Sequence, residues 1–167
     1  NASLLWEPWN ILKNDGTPYK VFTPFYRKGC LGNDEPRIPL PKPAGISYVK
    51  NNNSTNIRDL KLLPEVQWNK KFNKYWNIGE DAAYKRLDDF LESGLKGYKE
   101  GRNFPHKDNT SYLSPYLHFG EISPNYIWHK VISQENKGHI QDIDHFCSEL
   151  GWRKFSYYLL YHFPYLP

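Results

Sequence analysis

Glu149, Trp152, Arg153 and Ser156 stand at i, i+3, i+4 and i+7 within ELGWRKFS, a spacing that puts all four on one face of a helix. Two readings of that face stand side by side. In one, Glu149 and Arg153 form an ordinary helical ion pair beside a core tryptophan, and composition alone favours it. In the other, carboxylate, indole and guanidinium make a working face that stacks on and hydrogen-bonds something planar and charged. A second constellation lies upstream. Thr110, Ser111 and Ser114 bring three hydroxyls close together just before an apolar turn. Such residues cap helix starts, which is the commoner use, and the same arrangement makes an anion seat. Other chemistries have no support. His118 and Glu121 match H-x-E loosely, but no P-C-x-x-C follows, which excludes a zinc deaminase. The chain has no Walker motif and no G-x-S-x-G. Its six histidines are scattered without an HExxH and read as structural.

The elements that must position these groups are mostly helical. Residues 140–162 form one long helix, with Ile140, Ile143, Phe146, Cys147, Leu150, Phe155, Tyr158 and Leu159 close to a 3.6 period. Residues 79–99 give an amphipathic helix carrying Ala83, Leu87, Phe90, Leu91, Leu95 and Tyr98, with Glu80 and Asp81 suited to its N-terminal dipole and Gly97 loosening its last turn. Ser123-Pro124 opens a third helix over 124–134. A short helix falls within 57–76, beside the cluster Trp68, Phe72, Tyr75 and Trp76. Few segments alternate with period two and no repeat is present, so the fold class is mostly α.

The front of the chain is different. Pro18 and Pro24 argue for an extended, anchored segment over 14–29. Pro36, Pro39, Pro41 and Pro43, followed by KNNNSTN, read as a linker. A simple surface loop and a connector wrapped over a domain surface, pinned by Trp6, Trp9, Phe22 and Phe25, are equally compatible with that composition.

At 167 residues the chain can bury one real core. Aromatics make up 17%, heavy enough for rings to stack on bases or on a flavin as well as to fill a core. The net charge of +4 permits an anionic partner without demanding one. Cys30 and Cys147 lie outside any metal-ligand spacing, and Cys147 falls on the apolar side of the long helix as a buried, reduced thiol. The sequons at Asn52, Asn53 and Asn109 are chance matches. No signal peptide or membrane-length apolar run is visible, and a cytoplasmic, reducing compartment is expected. The absence of any Met and an end directly after an apolar helix point to a piece of a larger protein.

Taken in order, VFTPFYRK, GLKGYKEGRNFP, TSYLSPYLHFGEISP, ELGWRKF and YHFP give the chain a family likeness. Their order and spacing resembles the cryptochrome/photolyase family, most of all its bacterial deoxyribodipyrimidine photolyases, over nearly the whole length. The resemblance implies a long irregular linker over 1–56 and the N-terminal part of a helical FAD-binding domain over 57–167. The antenna domain with its chromophore, and the C-terminal part of the helical domain, are then absent. It further implies that Tyr98, Thr110, Ser111, Tyr112, Leu113, Ser114, Phe146 and Arg153 serve the FAD. Glu149 and Trp152 become the catalytic pair that reads and stacks a pyrimidine dimer. Arg102, Glu149, Trp152, Arg153, Lys154 and Ser156 form the DNA-facing set. Phe146 stands where close relatives carry a flavin-contacting tryptophan, and Lys154 replaces an expected acidic residue. The implied activity is repair of cyclobutane pyrimidine dimers in DNA by blue-light electron transfer from reduced FAD. The alternatives are a cryptochrome-type FAD light receptor without repair, and a helical nucleic-acid-binding module without cofactor. The isolated chain is expected to lack FAD and repair activity, and to self-associate through exposed apolar surface.

Overall fold

The computed structural model describes residues 3–49 and 54–166, and every regular element among them is helical. The calls on Asn52 and Asn53 lie outside the described residues. The described residues fall into two units by their contacts, one made from the chain up to Pro39 and from Gly79 onward, the other Leu40–Ile78. The expected cut at 56/57 follows composition, whereas these units follow packing. In Leu40–Ile78 the 3-10 turns Ile57–Leu60 and Trp68–Lys74 take the place of a short helix. Trp68 and Phe72 meet edge to face at 5.7 Å but stay more than half exposed, so this aromatic cluster is no core.

The larger unit is built around helix α6, Ile140–His162, whose bounds match the sequence period. Ile143, Phe146, Cys147, Leu150, Phe155 and Tyr158 are buried along it, while Ile140, in its first turn, is exposed. The front segment packs onto this helix. Residues Phe22–Pro24 make a helical turn, α1, that continues as a wide π turn, Phe25–Cys30, rather than the extended segment expected from its prolines. Pro24 falls in the first turn, where a missing N–H costs nothing. Phe25 meets Phe155 at 4.9 Å and Tyr158 at 4.6 Å. Tyr26 lies over Gly151, where an added Cβ would stand 2.6 Å from its ring carbons. The glycine inside ELGW is therefore a packing residue. The fully buried Tyr158 hydroxyl accepts from Tyr19 N–H and donates to the Ile11 carbonyl, both at 2.9 Å, and so ties the front segment to α6.

The predicted helix over 79–99 is interrupted. It runs as α2, Glu80–Asp89, opens into a π turn at Phe90–Gly94, and resumes as α3, Tyr98–Gly101. Gly97, at φ +78°, makes the break. Tertiary bonds replace the lost helical ones. The Asn109 amide donates to the carbonyls of Gly94 and Lys96, and Asp142 of α6 accepts from Gly97 N–H and Lys99 N–H. Asn109 is thus a structural bracket. Helix α4 spans Ser114–Phe119 and α5 spans Pro124–Ile132, shorter than the expected 124–134, with the Ser123 hydroxyl accepting from Asn125 N–H.

Candidate functional site

The middle of α6 presents the ledge. Glu149 does not pair with Arg153. Its carboxylate takes the guanidinium of Arg102, just beyond α3, at 2.6 Å, with the His145 ring 4.0 Å away. Arg102 also lies 5.4 Å over the Tyr98 ring and reaches its hydroxyl at 3.4 Å. The carboxylate holds the Arg102 guanidinium above its usual range, and burial raises the Tyr98 phenol. Both ion-pair partners remain about one-third exposed, so the pair is worth little in stability and is accessible to a ligand.

Trp152 is 46% exposed, which overturns the core-tryptophan reading. One face of its indole stacks on Phe22 of α1, with centroids 3.8 Å apart and planes 13° apart. Phe22 in turn lies parallel to Tyr26 at 5.4 Å. The ring is held flat from behind, which suits a platform. Ser156 is exposed one turn on, its hydroxyl donating to the Trp152 carbonyl at 3.3 Å.

Arg153 faces the interior side of the same turn. It donates to the carbonyl of Ser3 at 2.8 Å and of Leu117 at 3.3 Å, with its guanidinium 5.0 Å over Tyr157. Desolvation lowers its pKa. Leu117 is one helical turn from Ser114, so Arg153 ties the hydroxyl segment's helix to the ledge.

Lys154 does not belong to a DNA-facing set. It is 1% exposed, and its ammonium has no hydrogen-bond partner among the described residues. Burial pulls its pKa from 10.5 down to about 8, with the Cys30 thiol and Glu7 opposing weakly. Cys30, beside it, is pushed up to about 12 by burial. The position after Arg153 turns into the core, so the expected placement of Lys154 among the DNA-facing residues gives way to burial. Phe146 and Leu113 are likewise buried. Phe146 packs on Phe90 at 4.9 Å and Tyr98 at 5.2 Å, so its ring is occupied by its own chain.

In the hydroxyl segment, Thr110 and Ser114 are exposed and Ser111 half-buried. The Ser111 hydroxyl accepts weakly from Leu113 N–H at 3.5 Å. Arg86 of α2 clamps the segment. Its Nε donates to the Ser111 carbonyl at 3.0 Å, its NH2 to the Thr110 carbonyl at 3.2 Å, and its guanidinium sits 4.7 Å over the Tyr112 ring. Tyr112 takes φ +53°, which few non-glycine residues adopt. Two carbonyls are thereby engaged while three hydroxyls remain, so the donor set fits an anionic diphosphate such as that of FAD. Sequence reasoning missed Arg86 and gave Phe22 only a pinning role. Arg86 carries no local motif, and its partners lie at least 24 residues away.

No family model matches the chain. The chain is 43% identical over 166 residues to a deoxyribodipyrimidine photo-lyase of Agrobacterium fabrum, covering 98% of this chain and 34% of the relative. It is 30% identical over 176 residues to cryptochrome-1 of Arabidopsis thaliana, covering 99% of this chain and 25% of the relative. Among solved structures, a bacterial class III photolyase from Agrobacterium tumefaciens superposes with a TM-score of 0.88 at 42% identity, over 98% of this chain and 34% of that one. The chain spans between a quarter and about a third of the length of the curated relatives it matches. Its helical fold is that of part of a photolyase.

Proposed function

The chain bears the cryptochrome/photolyase resemblance along nearly its whole length, and from that premise we propose that the protein it belongs to is a deoxyribodipyrimidine photolyase. Its substrate is DNA carrying cyclobutane pyrimidine dimers. Residues 1–56 serve as linker and 57–167 as the front of the FAD-binding domain. The observation that carries the reading is the pairing of a solvent-accessible carboxylate, Glu149, with a backed, half-exposed indole, Trp152, one turn apart on α6.

A dimer must leave the duplex to be acted on, and its weakened stacking makes extrusion cheaper than for an intact pair. Trp152 offers the everted dimer its one open face, and Glu149 hydrogen-bonds its polar edge. Arg102 and Ser156 face the backbone, with Arg102 exchanging Glu149 for a phosphate. Thr110, Ser111, Tyr112 and Ser114 grip the FAD diphosphate. Tyr98, Leu113, Phe146 and Arg153 act behind this surface, shaping the pocket wall from the core. Reduced FAD, when bound, supplies the light-driven electron that splits the cyclobutane ring. Lys154 has no part in the DNA contact. An antenna chromophore belongs to a separate domain. Two buried free thiols suit a reducing cytoplasm, and no helix among the described residues is long and apolar enough to cross a membrane. The isolated chain self-associates through exposed Leu160, Tyr161 and Tyr165, and light scattering showing a strict monomer would remove that statement.

The test is repair of a dimer-containing oligonucleotide by the photoreduced full-length protein. Blue light should restore intact pyrimidines and darkness should not. Glu149→Gln should slow repair by roughly 10- to 100-fold, the worth of one hydrogen bond to a charged group. A flavin-loaded protein that repairs nothing in blue light would favour the light-receptor reading.

A further inference from the structure

We infer that Arg86 is the positioning residue of the diphosphate seat, an inference that rests on the reading of Thr110–Ser114 as the segment that grips FAD. Arg86 starts from a fixed point, because Ala83 and Leu87 on either side of it along α2 are both fully buried. From there its planar guanidinium makes three contacts with three successive residues, the Thr110 and Ser111 carbonyls and the Tyr112 ring. Each has a consequence at the seat. The two hydrogen bonds withdraw carbonyl oxygens that would repel a phosphate. The cation–π contact helps hold Tyr112 in its left-handed conformation, which turns the chain between Ser111 and Ser114. The guanidinium also leaves a positive charge behind the hydroxyls. A lysine would keep the charge but lose the fork that spans both carbonyls.

The full-length flavoprotein carrying this chain, stripped of flavin, provides the test. Dissociation constants for FAD and for riboflavin, which lacks the diphosphate, are measured by flavin fluorescence quenching in wild type, Arg86→Met, Arg86→Lys and the neighbouring control Lys85→Met. Lys85 is exposed and pairs with Asp89 at 3.0 Å. Arg86→Met should weaken FAD about tenfold and leave riboflavin within twofold, Arg86→Lys should fall between, and Lys85→Met should bind as wild type. A purely structural role would weaken both flavins together, and that result overturns the inference. So does Arg86→Met or, if that variant does not fold, Arg86→Lys with FAD affinity equal to wild type. Wild-type protein that takes up no flavin at all overturns the proposed function and this inference together, a result distinct from the other two.

Discussion

Replacing Lys154 by Met should stabilise the protein at neutral pH and lose that advantage in alkali. The Lys154 amine is 1% exposed, unpaired among the described residues, and titrates near 8 instead of 10.5. The unfolded chain therefore binds a proton as pH falls below 10.5, while the fold refuses it until about 8. Wild-type stability declines across that window and stays lowered below it, by about 3 kcal/mol at pH 7. Met keeps the unbranched length and discards the charge, with a shape mismatch that costs about 1 kcal/mol. The net expectation is a gain of about 2 kcal/mol at pH 7, shrinking to near zero by about pH 10. Urea unfolding of both proteins at pH 7, 8, 9 and 10 reads this directly, since every other titrating group is common to both and cancels in the difference. The reasoning is refuted if the difference is the same at pH 7 and pH 10, or if the Met variant is the less stable at pH 7.

Three further outcomes follow from named contacts. Phe22→Ala removes the ring behind Trp152 and should weaken binding to dimer-containing DNA by roughly tenfold while binding to undamaged DNA is unchanged; gel-shift titrations of both DNAs read the ratio, and a parallel loss on both contradicts the platform role. Tyr158→Phe strands a buried N–H at Tyr19 and a buried carbonyl at Ile11 and should cost about 2 kcal/mol by urea unfolding; a cost under 0.5 would mean water takes over both groups. Gly151→Ala sets a methyl 2.6 Å from the Tyr26 ring and should cost about 1–3 kcal/mol, checked by thermal unfolding, and a neutral result would show that the π turn carrying Tyr26 yields freely.

Periodicity and local chemistry determined a good deal unaided. The 3.6 period marked α6 to its bounds, because one stripe of Ile143, Phe146, Cys147, Leu150, Phe155 and Tyr158 must be buried whatever covers it. The hydroxyls of Thr110, Ser111 and Ser114 left helix capping and an anion seat both open, while the i, i+3, i+7 spacing of Glu149, Trp152 and Ser156 placed them on one helical face. Tertiary structure decided the rest, since the deciding contacts join residues far apart in sequence. The partner of Glu149 is Arg102 rather than the nearer Arg153, because Arg153 is drawn to the carbonyls of Ser3 and Leu117. The break at Gly97 exists because Asn109 and Asp142 supply the bonds that a continued helix would have made. Lys154 went inside because helical geometry turns the position after Arg153 toward Cys30, and no local pattern announces a lysine that the core encloses.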